Sequence, residues 1–497
     1  MTFLKFNLLC QANNHNNLHN CLKDANIKVV FPQDPIYETL SRPYNLRYHY
    51  QPIAIVLPKS TQDLSKILMV ASAEGIPVAA RSGGHSYTAQ GLGGQDGFLV
   101  VDLSNMKALT VDSAGIAHVQ AGNRISELAQ GLFKAGGRAV PTGTCPLVGI
   151  GGHATYGGYG FTSRAWGLTL DNVIGHEVVL GNGTIVTTST TEHPELFWAL
   201  RGAGASFGIV SSFKMKTFNA PPVMTFFSFT WQFDSVTELG KAMLDYQQYC
   251  FTAQLIPEIG LEVNLGKGNG PDQVSFQVVG TVFGSQSGLK PLISPLLEKL
   301  PKNPLMTINE TDWLSTLNIL ASPQTLEITP AEVEHNNDVF YAKSLVVPEA
   351  QPATPASLNA LASYFFEEGL PSSLSWFVQL QLYGGKGSFI NSVSKESSAY
   401  AHRSSLWTIQ LYASTGEKKT PFPKEGFEFV NKMTKSLTDN NPEDWAAGYL
   451  NYVDDQLPET VWPNFYYGDH YKRLQTIKTA YDPQNVFRYS QAIRGST

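Results

Sequence analysis

Cysteine is scarce in this chain. Only four of its 497 residues are cysteines, Cys10, Cys21, Cys145 and Cys250, and so few exclude a scaffold held together by disulfide bonds. Long apolar runs are missing as well, since no stretch approaches the ~18 residues expected of a membrane-spanning helix. We therefore expect no membrane insertion.

Charged residues are also few, at 15% of the chain against roughly 25% in typical soluble proteins. The net charge is −6 and there is no block of Lys and Arg, which excludes nucleic acid and anionic membranes as partners. We expect a monomer without a metal site.

The low charge is common in exported proteins, and the acceptor sequons at Asn182 and Asn309 are compatible with secretion. We therefore expect a secreted glycoprotein. The apolar part of Met1–Cys10 is too short to identify a signal peptide.

Glycine is concentrated in one part of the chain. Of 43 glycines, 25 lie between Arg81 and Val210, among segments with the patterns of strands and helices. Strands are predicted at 53–57, 98–103, 176–180 and 208–213, and helices at 61–74 and 124–134. Thr61-Gln62-Asp63 and Gly75 are the predicted start and stop of the first helix. So many glycines among these elements indicate a backbone that approaches a ligand at several points.

After residue 220 the pattern changes to long segments that alternate apolar and polar residues, at 225–233, 274–283 and 377–383. Such alternation predicts an antiparallel sheet with one covered and one exposed face. A helix is predicted at 471–481. We expect an α+β fold of two domains, with a first domain over 21–220 that is completed by 446–497 and a second domain over 221–445.

Two glycine-rich stretches carry candidate chemical groups. Arg81–Tyr87 (RSGGHSY) follows a predicted strand, where successive backbone N–H groups can point at a pyrophosphate. Pro141–Pro146 (PTGTCP) runs into Gly149–His153 (GIGGH). A third stretch, Arg201–Gly208, imitates a nicotinamide-binding fingerprint but has Phe207 where the last glycine belongs and follows a predicted helix. We therefore set the nicotinamide interpretation aside.

Together with Tyr481–Phe487 (YDPQNVF), these motifs closely resemble the berberine-bridge-enzyme branch of the vanillyl-alcohol-oxidase flavoproteins, and within it the fungal oligosaccharide oxidases. The resemblance covers about residues 21–493. It implies FAD as cofactor, with His85 bonded to the flavin 8α-methyl group and Cys145 bonded to C6. Imidazole and thiolate are the side chains nucleophilic enough for such attachment near neutral pH. The implied cofactor-binding residues are Arg81, Ser82, Gly83, Gly84, His85, Ser86, Cys145, Gly149, Gly152, Gly208 and Val210.

The resemblance also assigns catalytic roles. Tyr452 matches the base that takes the proton of the substrate hydroxyl, and His153 matches a histidine that stabilises charge on the reduced flavin. Gln381 stands where the fungal oxidases have an Asp beside that tyrosine. A glutamine can orient a phenol but cannot accept its proton, so the activation of Tyr452 needs another explanation. Val148, three residues after Cys145, matches a position that controls the access of oxygen to the flavin.

The implied substrate is an oligosaccharide that is oxidised at its anomeric C1 hydroxyl to a lactone, with oxygen reduced to hydrogen peroxide. The positions that match the sugar-binding groove are Tyr87, Glu262, Asp338, Phe377, Gln379 and Gln410. Two alternatives remain at this point: an oxidase of another substrate class, such as an alkaloid or a lignol, and a carbohydrate-binding relative without catalysis.

The family's usual disulfide near the N-terminus is predicted to be missing. Cys21 matches one partner, but Val70 stands where the other cysteine belongs. A short Cys10–Cys21 loop would restrict little of the unfolded chain.

Overall fold

The computed structural model describes residues 22, 26–329, 333 and 336–496. Within these residues, no helix combines the length and the apolar character needed to cross a bilayer. Cys10 and Cys21 lie outside the described residues, so the predicted absence of a disulfide between them stays a prediction. Cys250 is buried with a free thiol, and Val70 is buried in the core of the N-terminal part.

Two sheets form the N-terminal part. The first has the order β1-β2-β4-β3, with β4 parallel to both β2 and β3, and its strands are β1 Lys28–Val30, β2 Ala54–Leu57, β3 Val78–Arg81 and β4 Leu99–Asp102. The second sheet is antiparallel with the order β5-β6-β10-β8-β9, and β7 and β11 pair separately. These strands are β5 Leu109–Val111, β6 Ile116–Gln120, β7 Arg138–Ala139, β8 Val173–Val179, β9 Ile185–Thr188, β10 Ile209–Lys216 and β11 Phe218–Asn219.

The first long helix, Thr61–Ala73, begins at the predicted residue and ends one residue before the predicted end at Glu74. Ser60 is its N-cap, and the Ser60 side chain accepts a hydrogen bond from the backbone N–H of Asp63. This bond satisfies a donor that the first helical turn leaves without a partner. The helix ends before Gly75, which has a φ of +66° that glycine adopts without strain.

A seven-stranded antiparallel sheet dominates the middle of the chain, with the order β15-β12-β14-β13-β17-β18-β16. Its strands are β12 Met224–Phe233, β13 Ile259–Lys267, β14 Val274–Phe283, β15 Leu305–Thr311, β16 Phe340–Pro348, β17 Ser375–Leu382 and β18 Ser405–Ser414. All of them lie inside the predicted second domain, whose exact limits stay predictions.

The expectation of one exposed face is wrong for β18, which lies between β17 and the edge strand β16. Every residue of β18 is buried, although its side chains alternate between apolar and polar. The apolar face packs against helices Val236–Thr252, Pro355–Tyr364 and Lys424–Thr438. The polar face is covered by the N-terminal part of the chain and carries buried groups such as Gln410. The alternation therefore marks a wall of an internal site and not a solvent surface.

The remaining helices connect or cover these sheets. They are the α-helices Tyr37–Leu40, Ile125–Lys134, Ile150–Thr155, Ser163–Trp166, Pro194–Ala203, Gln286–Leu297, Trp313–Leu320, Phe389–Ser392, Trp462–Tyr467 and Tyr471–Tyr481, the π-helix Phe365–Gly369, and the 3₁₀ turns Gln90–Leu92, Leu103–Asn105, Thr169–Asn172, Gly204–Ser206, Lys395–Ser397, Leu450–Tyr452 and Gly468–His470.

The C-terminal tail is fastened to the N-terminal part by a buried ion pair. Lys478 Nζ donates to Asp482 Oδ2 at 2.6 Å and to the carbonyl oxygen of Ser206 at 2.8 Å. Asp482 in turn accepts the backbone N–H groups of Val486 and Phe487 at 2.9 and 3.0 Å. A buried pair whose remaining polar positions are satisfied fixes geometry. The Asp-Pro-Gln-Asn-Val-Phe motif thus holds the C-terminal tail against the N-terminal part of the chain.

Candidate active site

One large cavity lies between the glycine-rich loops and the polar face of the seven-stranded sheet. Its volume is about 350 Å³, within the range of small-molecule sites. Most of the residues singled out from the sequence line it: Arg81, Ser82, Gly83, Gly84, His85, Ser86, Tyr87, Cys145, Val148, Gly149, Gly152, His153, Gly208, Val210, Glu262, Gln379, Gln381, Gln410 and Tyr452.

The two glycine-rich loops touch each other through their backbones. A Cβ atom on Gly83 would lie 2.3 Å from the nitrogen of Gly149, and a Cβ atom on Gly149 would lie 2.0 Å from the nitrogen of Gly83. Any side chain at either position would force the loops apart. A Cβ atom on Gly152 would meet nothing within 4 Å, so this position faces open space in the cavity. The glycines thus serve close approach of the loops at one point and access for a ligand at another.

His85 and Cys145 meet where these loops converge. Cys145 Sγ lies 3.5 Å from His85 Nε2. Burial, with a smaller contribution from the charge of Arg124, lowers the pKa of His85 to about 3, so its imidazole is neutral and retains a nucleophilic lone pair. Burial raises the pKa of the Cys145 thiol. The imidazole is therefore uncharged at neutral pH, whereas the thiol must lose a proton before it can act as a nucleophile.

His153 is held as a neutral hydrogen-bond donor. Its Nε2 accepts the backbone N–H of Gly143 at 3.2 Å, and burial lowers its pKa to about 4. A neutral imidazole carries one proton, which must then lie on Nδ1. His153 can therefore donate a hydrogen bond to a ligand without bringing a positive charge.

The register of the sheet places the polar residues of the cavity in two cross-strand pairs, Glu262 with Gln381 and Gln379 with Gln410, which we call the polar rows. Glu262 lies on β13, Gln379 and Gln381 lie on β17, and Gln410 lies on β18. Glu262 accepts hydrogen bonds from Gln381 Nε2 and Gln379 Nε2, both at 3.3 Å. Because alternate residues of a strand share a face, these amides and the carboxylate point the same way into the cavity. Burial raises the pKa of Glu262 to about 7, although the amide donors act against the shift.

Tyr452 closes the cavity from the C-terminal segment. It ends the 3₁₀ turn Leu450–Tyr452, and its ring stacks on Tyr87 with a centroid distance of 5.5 Å. The hydroxyl of Tyr87 accepts a hydrogen bond from Gln410 Nε2 at 2.7 Å. Burial raises the pKa of Tyr452 well above its ordinary value, although a hydrogen bond from Gln381 lowers it. Tyr452 is therefore a phenol at neutral pH.

Asp338 and Phe377 do not line the cavity. Asp338 Oδ2 accepts a hydrogen bond from the hydroxyl of Tyr412 at 2.8 Å, and the Tyr412 ring stacks on Phe377 at 4.6 Å. These residues form an aromatic cluster with Phe340, which contacts the cavity-lining ring of Tyr87 at a centroid distance of 4.9 Å. Their predicted role in sugar binding stays a prediction.

Several residues of the site gave no local signal in the sequence. The ring of Tyr44 stacks on His85 with a centroid distance of 3.6 Å. Gln324 and Asn336 contact Cys145 and His85. None of them belongs to a motif, because each reaches the site from a part of the chain that is remote in sequence.

The cavity suits a dinucleotide with a ring system at its deep end. The glycine loops leave backbone exposed where a phosphate needs N–H donors, and His85 and Cys145 form a nucleophilic pair. The buried oxygen Gln381 Oε1 has no hydrogen-bond partner among the described residues, which indicates a polar ligand in front of it. These residues fit a flavin nucleotide beside a polar substrate.

Comparisons with known proteins agree with this interpretation. Residues 52–189 match the model of the FAD binding domain, and residues 448–494 match the berberine and berberine-like model. The glucooligosaccharide oxidase of Sarocladium strictum is 35% identical over 482 residues, which cover 95% of this chain and 93% of the relative. The xylooligosaccharide oxidase of Thermothelomyces thermophilus is 35% identical over 478 residues, with 96% and 94% covered.

Solved structures give the same result. A chitooligosaccharide oxidase structure superposes with a TM-score of 0.90 at 32% identity and covers 97% of this chain and 100% of its own. A structure of the Acremonium strictum glucooligosaccharide oxidase with a 6-S-cysteinyl, 8α-N1-histidyl FAD has a TM-score of 0.89 at 32% identity, with 97% of this chain and 99% of its own covered. The chain therefore belongs to the berberine-bridge-enzyme-like family of FAD-dependent oxidoreductases, in the branch of the fungal oligosaccharide oxidases.

Proposed function

We propose that the protein is a carbohydrate oxidase that converts the anomeric C1 hydroxyl of a reducing-end oligosaccharide to a lactone, with oxygen reduced to hydrogen peroxide. One observation carries the proposal. A single cavity connects the glycine-rich loops that hold His85 and Cys145 with the polar rows of the sheet and with Tyr452. A sugar ring bound against those rows lies directly beside the nucleophilic pair.

The residues of the polar rows can hydrogen-bond to the hydroxyl groups of a sugar. Glu262 and the amides of Gln379 and Gln410 offer acceptors and donors to hydroxyl groups. The ring of Tyr87 gives an apolar surface against which a pyranose can stack. Bound FAD supplies the hydride acceptor and passes the electrons to oxygen.

The substrate proton goes to Tyr452 in this proposal, and the proton of Tyr452 itself needs a destination. Its raised pKa rules out a resting phenolate. Glu262 is the only carboxylate among the described residues that line the cavity, and its pKa of about 7 allows it to be ionised at working pH. Gln381 donates to Glu262 and also hydrogen-bonds to Tyr452, so it orients both side chains, and in this proposal the proton passes to Glu262 through water in the cavity and not through the amide. Glu262 thus takes the place of the missing aspartate as the final acceptor.

FAD is attached through both His85 and Cys145 in this proposal. Support comes from their 3.5 Å contact at the convergence of the two loops, since both attachment positions belong to the benzenoid ring of the flavin. His153 stabilises the reduced flavin with its Nδ1–H, and Val148 lines the cavity where oxygen would approach.

A substrate panel tests the function. Lactose, cellobiose, maltose, xylobiose and chitobiose are each offered to the enzyme, and peroxide release is measured. We expect peroxide with at least one of them. Release with a lignol or an alkaloid and with none of the sugars would favour an oxidase of another substrate class, and silence with all of them would favour a binding protein.

A matched pair of variants sharpens this test. Gln379→Leu removes an amide from the polar row and should raise KM for the best sugar. Gln277→Leu removes an amide from β14 of the same sheet, where it donates to Ser228 Oγ at 2.9 Å, and should leave KM unchanged.

We also propose that the protein is a secreted monomer with glycans. Asn182 and Asn309 are both exposed, so a glycosyltransferase could reach either sequon. Treatment of protein from the culture medium with a glycosidase should lower its mass, and light scattering should give the mass of one chain.

A further inference from the structure

Four side chains form a closed ring around the two proposed attachment groups. Cys145 Sγ lies 3.5 Å from Gln324 Oε1, and Gln324 Nε2 donates to Asn336 Oδ1. Asn336 Nδ2 donates to His85 Nε2 at 2.9 Å, and the ring closes with the 3.5 Å contact between His85 Nε2 and Cys145 Sγ. Two amides thus connect the imidazole and the thiol.

The amides come from a different part of the chain than the groups they contact. Gln324 and Asn336 lie between helix Trp313–Leu320 and β16, whereas His85 and Cys145 belong to the glycine-rich loops. Gln130 holds the chain close to Gln324, because its Nε2 donates to the carbonyl oxygen of Leu326 at 2.6 Å. Gln324 and Asn336 therefore reach the attachment groups from outside the two glycine-rich loops.

The direction of the hydrogen bonds decides whether either group can react. In the present direction Asn336 donates to His85 Nε2, so the proton of the neutral imidazole lies on Nδ1, and the Cys145 thiol donates to Gln324. Both nucleophiles are then protonated at the atom that would react. The thiol is further disfavoured because burial raises its pKa.

Rotation of both amides by a half turn reverses the whole chain of bonds. His85 Nε2–H then donates to Asn336 Oδ1, Asn336 Nδ2 donates to Gln324 Oε1, and Gln324 Nε2 donates to Cys145 Sγ. The imidazole proton moves from Nδ1 to Nε2 by exchange with water in the cavity, and the thiol releases its proton to that water. The lone pair of His85 Nδ1 is then free, and the Cys145 thiolate receives a donor. Amide oxygen and nitrogen occupy nearly the same space, so the reversal needs no movement of the backbone.

We propose that Gln324 and Asn336 are positioning residues for flavin attachment, which set the tautomer of His85 and stabilise the thiolate of Cys145 by this reversal. The inference rests on the proposed covalent attachment and does not depend on sugar oxidation. Each attachment replaces one hydrogen on the flavin and one on the side chain by a single bond, either C–N or C–S. The two electrons and two protons released each time reduce one oxygen molecule to hydrogen peroxide.

The test follows attachment in time. Full-length protein is made in riboflavin-starved cells, FAD and air are added, and mass spectrometry measures the flavin on the His85 and Cys145 peptides. We expect Asn336→Leu to slow the His85 bond at least tenfold and Gln324→Leu to slow the Cys145 bond at least tenfold. Raising the pH should restore the Cys145 bond in Gln324→Leu, because a thiolate then forms without the donor.

The Asn336→Asp variant should affect the two covalent bonds to the flavin differently. Its carboxylate accepts from His85 Nε2–H but cannot donate to Gln324, so the His85 bond should form at the wild-type rate while the Cys145 bond is slow. Gln130→Leu loosens the same segment without touching either group and serves as the matched control. Wild-type rates for both bonds in Asn336→Leu, or an equal loss in Gln130→Leu, would overturn the inference. A wild type without any covalent flavin would refute the attachment itself.

Discussion

Replacing Glu262 by glutamine tests where the substrate proton finally goes. The side chain is buried beside three amide donors, from Asn264, Gln379 and Gln381, and burial still raises its pKa from 4.5 to about 7. This difference of about 2.5 units corresponds to roughly 3 kcal/mol in favour of the neutral acid. Glu262 can accept a proton only when it is ionised, so its pKa should appear in the rate of flavin reduction.

We expect kcat/KM of the wild type to rise with pH and to level off above about pH 7. Well below pH 7 the ionised fraction falls about tenfold for each pH unit, and so should the rate. Stopped-flow measurement of anaerobic flavin reduction by cellobiose from pH 5 to 9 gives the profile. Glu262→Gln should lower the maximal rate of flavin reduction and abolish its rise with pH below pH 7, which we call the acidic limb of the profile. Glu310→Gln is the control, because Glu310 is an exposed carboxylate on the edge strand β15 of the same sheet.

The pH dependence of the free energy of unfolding provides a second measurement on Glu262. A carboxyl group whose pKa is raised by folding holds its proton more tightly in the native state, so the native state loses stability as the pH rises from about 4.5 to 7. Glu262→Gln should therefore be more stable than the wild type at pH 8 and about equally stable at pH 4. A wild-type rate without a limb near pH 7, or a limb that persists in Glu262→Gln, would refute Glu262 as the acceptor.

Three further predictions concern the flavin and its partners. Tyr452→Phe should fold and retain flavin but reduce it about 10²–10⁴-fold more slowly, as measured by anaerobic stopped flow, because proton transfer is lost. His85→Ala and Cys145→Ala should each retain flavin after acid precipitation, and release of all flavin from the wild type would end the idea of two attachments. Val148→Ile should slow reoxidation by dissolved oxygen, since one added methylene fills space in a tightly packed wall, and an unchanged rate would remove Val148 from the oxygen path.

Much of the fold could be predicted from the residues because its signals are local. The strand pattern at 274–283 and the helix at 471–481 have the predicted bounds. The first helix begins at Thr61 as predicted, although its N-cap is the preceding Ser60, whose capping preference Thr61 shares. Period-two alternation could not show that the polar face is covered, since a buried polar wall and a solvent surface give the same pattern.

The residues of the site also fall into those with a local sequence signal and those without one. His85 and Cys145 could be found because glycine-rich motifs surround them. Glu262, by contrast, has its pKa raised by burial, and that burial arises only when the sheet packs against the N-terminal part, so no segment of the sequence contains that information. Gln324 and Asn336 are harder still, because only the closure of one part of the fold over the other brings them to the attachment groups.

The central claim is oxidation at the anomeric carbon, and one comparison tests it most directly. Cellobiose and its 1-O-methyl glycoside differ only at the hydroxyl that the proposed reaction consumes. Peroxide release and product mass are measured for both with the same enzyme sample. The account predicts one peroxide per cellobiose converted to cellobionic acid and no turnover of the methyl glycoside. Equal turnover of the two sugars would contradict it, because the oxidised hydroxyl would then lie elsewhere on the ring.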